Sequence, residues 1–351
     1  MMIELAYRLV FNTPAFMGNA DQSAQWRTPP IKALLRQWWR VAYVGDQTPG
    51  VTIAQMRTVE GMLFGLAADS GGGSQKSQLR LRLNSWSDGR KTDWAHEDAQ
   101  RVVHGEVGTP VGAQLYLGYG PRKFQQGTAL KARAAIGEKE HAELRLALLD
   151  ESEASRLVTA LHLLNLYGTL GGRSRNGWGS FNLTPLEGTP KLGAALDDRF
   201  FLPWRDALSK DWPHAIGRDD KGPLIWETGA QNDWKSVMRL LAEIKIGLRT
   251  QDAFKFPSSK ADGRVHERHW LSYPVTHHDV FEWKKKGLRL PNSLRFKVRA
   301  GTDGTFRGVV FHMPCLPPPA FAPDKSAVVQ VWQHVHQFLD ARNGVLKRIS
   351  A

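Results

Sequence analysis

Cysteine is nearly missing from this sequence. Cys315 is the only one among 351 residues, which excludes an intramolecular disulfide and a cysteine-rich zinc site and fits a reducing compartment, with the cytoplasm as the expected setting. Long apolar runs are also missing. No window approaches the length of a membrane span, and the opening MMIELAYRLVFNTPAF has no basic segment followed by a long apolar stretch. The expectation is an unexported chain with no membrane-spanning helix. Acidic side chains are in deficit, 34 against 47 Lys and Arg, leaving a net charge of +13. That excess suits a polyanionic partner, either nucleic acid or an acidic membrane surface. A hydrophobic content of 42% over this length is enough for two domains.

The alternation in IELAYRLVF, with Leu5, Tyr7, Leu9 and Phe11 against Glu4, Arg8 and Asn12, predicts a strand covered on one face. A loop rich in Asn, Gly, Pro, Ser and Gln follows, then a helix that Thr28 caps and Pro29 opens. In that helix Ile31, Leu34, Leu35 and Trp38 share an apolar face, while Lys32, Arg36 and Arg40 form a basic stripe. Such a stripe is either a solvated face or one wall of a ligand groove.

Beyond residue 44 the chain reads as irregular, with AADSGGGSQKSQ (67–78) as an exposed loop. LRLRLNSW alternates Leu79, Leu81 and Leu83 with Arg80 and Arg82, a strand with one cationic face. QLYLGYGPRKFQQGTALKARAAI reads as a hairpin or bulged strand pair, punctuated by Gly118, Gly120 and Pro121 and charged at Arg122, Lys123, Lys131 and Arg133. AELRLALL is a strand, ESEASRLVTALHLLNLY a helix that stops at Gly168, and SFNLTPL a strand. This order suits an α+β sandwich of the split βαβ, ferredoxin-like type over residues 1–187. Glycines and prolines between 187 and 230 mark a linker or the irregular start of a second unit, 188–351. There a helix, NDWKSVMRLLAEIKIGLR, the strands HWLSYPVTHH, LRFKVRA and FRGVVFHM, and a closing helix, VVQVWQHVHQFLDA, imply one more α+β domain.

The stretch YGTLGGRSRNGWGSF (167–181) carries Gly168, Gly171, Gly172, Gly177 and Gly179 in fifteen positions. It is not a P-loop, because a helix precedes it and Gly171-Gly172 runs into Arg173-Ser174 rather than Lys-Ser/Thr. The third glycine of the dinucleotide fingerprint is missing, and Ser174 is not framed as Gly-x-Ser-x-Gly. Glycines without Cβ let another backbone approach and expose N–H groups to phosphate oxygens, Arg173 and Arg175 neutralise phosphates, and Trp178 either stacks on a base or belongs to the core.

Twelve histidines raise the question of ribonuclease chemistry, which needs a base near neutral pKa and a cation for the developing phosphorane. His162 lies in an apolar helix and reads as structural; His334 and His336 are two residues apart and do not share a face. His266, His269, His277 and His278 cluster around a basic segment, but no His-Glu-x-x-His and no nearby cysteine supports a metal site. Lys284, Lys285 and Lys286 read as a solvated run.

GTLGGRSRNGWGSF, between an apolar helix and a strand, resembles the glycine-rich loop of the RAMP superfamily, the RNA-binding proteins of CRISPR systems. FNTPAFMGNADQSAQWRTPPIKALLRQWWRVAY resembles the first strand, loop and helix of the Cmr-type first subunit of type III-B effector complexes, and YLGYGPRKFQQGTALKARAAI resembles the Tyr-Gly segment and strand that follow. These motifs fall in order within the first 185 residues; in the second half only HERHWLSYPVT is loosely similar. The resemblance implies two fused ferredoxin-like (RAMP / RRM-like) domains in a ribonucleoprotein, near the guide's 3′ region and the incoming target RNA. It implies no nuclease chemistry, catalytic residue, metal or cofactor of its own. Single-stranded RNA, guide and target, and other RAMP subunits are the implied partners, and no membrane. The resulting expectation is one basic groove formed by Arg27, Lys32, Arg36 and Arg40 from the helix, Arg122 and Lys123, and Arg173, Arg175, Asn176 and Trp178 from the loop. A RAMP-type endoribonuclease that processes CRISPR RNA is the alternative, and an assembly subunit held by protein contacts a third reading.

Overall fold

Alternating apolar residues build two four-stranded antiparallel sheets on one plan in a computed structural model that describes residues 2–46, 52–67, 73–94, 100–106, 108–124, 128–148, 151–193 and 197–349. The first half runs β1 (Ile3–Phe11), α1 (Thr28–Asp46), α2 (Ile53–Phe64), β2 (Leu79–Leu83), α3 (Ala113–Gly118), β3 (His141–Leu148), α4 (Ala154–Tyr167) and β4 (Phe181–Pro185). Its sheet has the order β2-β3-β1-β4 with every pair antiparallel. Leu5, Tyr7, Leu9 and Phe11 are buried in one core with Leu35 and Trp38 of α1 and Leu161 and Leu164 of α4, as the alternation requires. The second half runs β5 (Ile225–Thr228), α5 (Trp234–Arg249), β6 (Leu294–Ala300), β7 (Phe306–His312), α6 (Lys325–Asp340) and β8 (Leu346–Arg348). Its order, β6-β7-β5-β8, repeats the first, again antiparallel throughout. The chain is therefore mixed α and β with antiparallel sheets.

Several stretches depart from the sequence expectation. Residues 53–64, expected to be irregular, form α2, opened by a capping box between Thr52 and Gln55. Its buried face includes Glu60 beside Met56, Leu63 and Phe64, and that carboxylate interrupts the apolar pattern that would have announced the helix. QLYLG is not a strand but α3; only Arg122–Phe124 and Thr128–Leu130 form the hairpin. HWLSYPVTHH contains no strand: Glu267–Trp270 is a 3-10 turn, and Trp270, Leu271, Tyr273 and Val275 are buried without alternation. Pro274 has no N–H to give a ladder. Between the halves, Phe201–Pro203, Ile216–Asp219 and Gly222–Pro223 form a small sheet where a linker or irregular start was expected. Residues 68–72 of the 67–78 tract lie outside the described residues.

The second sheet is covered on both faces. Val310, Phe296 and Val298 pack with Val237 and Leu241 of α5 and Trp332 of α6. The opposite face meets the first half, where Phe311 lies 6.3 Å from Trp38 and 4.9 Å from Tyr167 by ring centroids. On β6 the residues paired with that face are cations, Arg295 opposite Phe311 and Lys297 opposite Val309, with Arg299 following. Lys297 is fully buried and its Nζ donates to the Asn165 carbonyl at 2.5 Å. Arg299 donates through Nε to the Leu166 carbonyl at 3.1 Å and stacks its guanidinium on Tyr167. Both carbonyls belong to the last turn of α4, where no intrahelical N–H remains to pair and the helix dipole favours positive charge.

The glycine-rich segment is the seam between the halves. The Phe296 N–H donates to the Arg175 carbonyl at 3.0 Å, the Val298 N–H to Ser180 Oγ at 2.8 Å, and Asn12 Nδ2 to the Val298 carbonyl at 2.9 Å. A Cβ at Gly177 would meet Met238 Sδ at 3.1 Å, and at Gly179 (φ +64°) would overlap the Leu170 carbonyl oxygen. Most of these glycines thus admit the protein's own chain rather than a foreign backbone, which corrects the reading of the loop as an open phosphate cradle. Gly172 differs: its nearest neighbours would be Pro121 Cγ at 3.4 Å and Phe16 Cβ at 3.5 Å, ordinary contacts.

Two stability measurements test this account. Gly179→Ala should destabilise the chain by roughly 2 kcal/mol or more, from left-handed backbone plus overlap, while Gly172→Ala stays within about 0.5 kcal/mol; equal denaturation midpoints would contradict the seam. The second concerns a buried imidazole pair, His312 Nδ1 and His336 Nε2, 2.9 Å apart, with His312 Nε2 3.0 Å from Ser293 Oγ. Burial pushes His336 down to about 3 and His312 well below its usual range. The unfolded chain takes up protons near pH 6.5 that the folded pair refuses, so stability is complete above that pH and lost as pH falls. The expected loss is about 1.4 kcal/mol per pH unit per imidazole below pH ~6, and His336→Gln should shrink it in denaturant titrations at pH 7.5 and 5.

Candidate nucleic-acid interface

One large concavity, about 990 Å3, lies where the glycine-rich segment meets the second half. Arg173 and Asn176 come from the seam, Lys245 and Arg249 from α5, Tyr116 from α3, and Lys255, Phe256 and Arg268 from the loops after α5. The spacing of four places Lys245 and Arg249 on one helix face. Asn176 Nδ2 donates to the Leu117 carbonyl at 2.8 Å, which turns its Oδ1 toward Lys245 Nζ at 2.7 Å. Burial, then the charges of Arg249 and Arg173, pushes the Lys245 ammonium well below its ordinary pKa, and burial also lowers Arg249. Arg268 is buried over Phe256 and grips Glu106 with two hydrogen bonds, 2.6 and 3.2 Å. Burial raises the Glu106 pKa, but the hydrogen bond and charge of Arg268 outweigh it and hold the carboxyl below its usual value.

Among the described residues, Glu106 is the single carboxylate in a lining that holds Arg173, Lys245, Arg249, Lys255 and Arg268. Like charges held together at partial burial repel one another, and an anion between them relieves that repulsion. The exposed Tyr119 and the Phe256 ring add aromatic surface. A polyanion with aromatic bases fits such a lining.

Of the expected groove, only Arg173 and Asn176 line this cleft. Arg36 and Arg40 instead converge on the buried Glu60 of α2, at 2.9 and 2.5 Å, and Lys32 Nζ donates to Ser77 Oγ at 2.9 Å. Burial alone would raise Glu60, yet its hydrogen bonds to Arg36 and Arg40 hold it below its usual pKa. The basic stripe is a clamp between helices. Arg27 donates to the Gly18 carbonyl at 2.9 Å, and Lys123 lies partly buried on the hairpin. Arg175 turns inward, donating to the Asn292 carbonyl at 3.0 Å. Arg122 is buried, its guanidinium over Trp94 and Trp178 at 4.8 and 5.6 Å. Trp178 has no exposed surface and packs among Phe16, Trp94 and Trp234, so it is core and offers no platform for a base. The single continuous groove is replaced by a cleft whose walls come from both halves.

The histidine cluster divides. His269 is locked: its Nδ1 accepts the His266 N–H at 2.9 Å, so Nε2 carries the proton and donates to the His278 carbonyl at 2.8 Å. His266 faces Asp262 at 3.0 Å. His277 and His278 line the cleft together with His104, and His278 stacks on Phe256 at 3.7 Å. Burial lowers the pKa of both His104 and His278. The cleft residues that the sequence reading missed, Lys245 and Arg249, left one signal, two cations four apart in LLAEIKIGLR, where Glu243 is the one other charge. Among the described residues no group of His, Cys, Asp and Glu is arranged to hold a metal ion, and no helix is long and apolar enough to cross a membrane.

No family model matches the chain, and no curated protein does. Among solved structures, it is similar to Cmr1 from Pyrococcus furiosus in its apo form, with 13% identity and a TM-score of 0.49 over 95% of this chain and 96% of that one. It is also similar to a chain of the type III-B Cmr-beta complex bound to cognate target RNA, with 11% identity and a TM-score of 0.46 over 95% of this chain and 100% of that one. A chain of the same kind of complex, bound to cognate target RNA and AMPPnP in the presence of ssDNA, gives 11% and 0.45 over 96% and 99%. The chain is thus similar, over nearly its whole length, to Cmr1 and to chains of type III-B Cmr complexes, the kind of protein its N-terminal motifs resemble.

Proposed function

We propose that the chain is a non-catalytic RNA-binding subunit of a type III-B (Cmr) CRISPR ribonucleoprotein effector. In this reading it contacts the guide 3′ region, the target RNA or both at the end of the complex, and aids target capture in antiviral defence. Two fused ferredoxin-like domains, 1–187 and 188–351, are the corresponding reading of the repeated strand order. The observation that carries the proposal is the cleft: five cations from both halves, one carboxylate, and aromatic surface among them. Recognition there is of backbone charge with stacking and is indifferent to base identity, since sequence is read by guide-target pairing. Other RAMP subunits are the protein partners.

A second reading has one observation in its favour. Lys245, with its lowered pKa, shares the cleft with His104, His277 and His278, a set that could serve an endoribonuclease processing CRISPR RNA. Cleavage of single-stranded RNA without added metal, abolished by His278→Ala while binding persists, would establish it over the non-catalytic one.

Binding of labelled single-stranded RNA across a salt series tests the proposal. Arg173→Ala, Lys245→Ala and Arg249→Ala should each weaken binding to all sequences alike and reduce the log-log salt slope by about 0.7 per lost phosphate contact. Arg36→Ala with Arg40→Ala, whose charges are spent on Glu60, should leave the slope unchanged. Loss of slope only in that pair would move the RNA to α1 and overturn the cleft. The pH dependence has a sign as well. RNA needs the ammonium form of Lys245, and burial lowers that pKa, so affinity should fall as pH rises through a range where an ordinary lysine stays charged. Lys245→Arg should remove the fall.

A further inference from the structure

A second hollow, about 490 Å3, opens beside the basic cleft. Gly120 and Gly172 line the hollow, while Tyr119 and Arg173, their neighbours in sequence, line the cleft. A Cβ on Gly120 would lie 2.9 Å from Arg173 Nη2, so the guanidinium rests on the ridge between the two spaces. Arg173 itself has a left-handed backbone, φ +55°, a rare conformation for a residue other than glycine. That turn gives the two adjacent residues to different spaces.

Small residues make up much of the hollow's wall. Gly18, Gly120, Gly172 and Ala132 bring almost no side chain into it, and Phe16 supplies an aromatic surface. The Phe16 ring is backed by Trp178 at 5.0 Å and Trp94 at 6.0 Å, and so is held in place. Polar groups stand among these surfaces: the Gln22 amide, on a residue with φ +62°, and the Lys131 ammonium. Among the described residues neither side chain has a hydrogen-bond partner and no carboxylate lines the space. The left-handed Gln22 closes the turn between Gly18 and Ala24, its N–H donating to the Asn19 carbonyl at 3.1 Å, and its exposed amide lines the hollow.

We propose that this hollow receives one unstacked nucleobase of the bound RNA, whose phosphate crosses Arg173 into the basic cleft. The inference rests on the RNA-binding reading. The volume is that of a small-ligand site, too small for a duplex and ample for one nucleoside. Glycine and alanine walls admit a flat ring, Phe16 stacks on it, and the Gln22 amide, donor and acceptor together, meets its polar edge. An aliphatic side chain from a protein partner would use neither the amide nor the flanking cations.

The full chain is titrated with a labelled single-stranded RNA and with the same oligomer carrying abasic sites throughout, in parallel salt series. The unaltered chain should bind the abasic oligomer about tenfold more weakly or worse, the range of base–aromatic stacking, with the salt slope unchanged because the phosphates are the same. Gly172→Leu, where a Cβ meets only ordinary contacts, should fill the hollow, narrow the gap between normal and abasic RNA to what stacking on Tyr119 and Phe256 in the cleft supplies, and leave the slope intact. Ala132→Leu should do the same, which covers the case in which the first variant does not fold. Equal binding of both oligomers by the unaltered chain, or a gap between the oligomers as wide in a folded variant as in the unaltered chain, overturns the nucleobase site while leaving the basic cleft standing. Failure of the unaltered chain to bind either oligomer at low salt overturns both.

Discussion

Two hydrogen bonds fix the relation between the halves of this protein: Lys297 Nζ to the Asn165 carbonyl and Arg299 Nε to the Leu166 carbonyl. A helix end in a protein interior leaves carbonyls that must find donors, and a buried strand cation must find acceptors. Either alone would be costly. Brought together they satisfy one another, and the geometry that does so sets β6 against the last turn of α4. The aromatic contact of Phe311 with Trp38 and Tyr167 then closes the second sheet's face with the first half's helices. The layers follow as sheet, helix pair, sheet, helix pair.

A net charge of +13 says little about where a polyanion binds, because this fold uses much of its positive charge internally. Arg36 and Arg40 are held by Glu60, Lys297 and Arg299 by helix carbonyls, and Arg122 is sandwiched against indole rings. In the cleft Arg268 is held by Glu106 and Lys255 by Asp252, while Arg173, Lys245 and Arg249 face it with no carboxylate partner among the described residues. There the depression of the Lys245 and Arg249 pKa values reflects protein packed around groups that have little negative charge nearby, and a site in that condition is prepared for an anion.

The parts legible in sequence were those with a local period. β1, β2, α4 and β7 follow from alternation or from a 3.6-residue apolar face, and the seam is visible as a glycine cluster. The use of those glycines was not legible, since Gly177 meets Met238 and Gly179 meets Leu170, contacts that depend on both halves. Trp178 carries no local mark separating a stacking surface from core; only Phe16, Trp94 and Trp234 around it decide. The α1 stripe misled for the same reason. Its partner Glu60 lies in a helix whose apolar face that same carboxylate interrupts.

The cleft and the seam are one construction. Asn176 forms a bridge with Phe296 across the seam and, through its side chain, orients Lys245 in the cleft. α5 faces the seam with Met238 and Leu241 at Gly177, and one to two turns later presents Lys245 and Arg249 to the cleft. A helix is rigid over that distance, so the packing of Gly177 against α5 fixes how far the cations stand from Arg173. Neither half contains the site alone, and a displacement of one half against the other alters the spacing of the cleft's charges. The glycines that yield no surface to an external ligand therefore still govern the cleft, because they set the separation of its charged side chains.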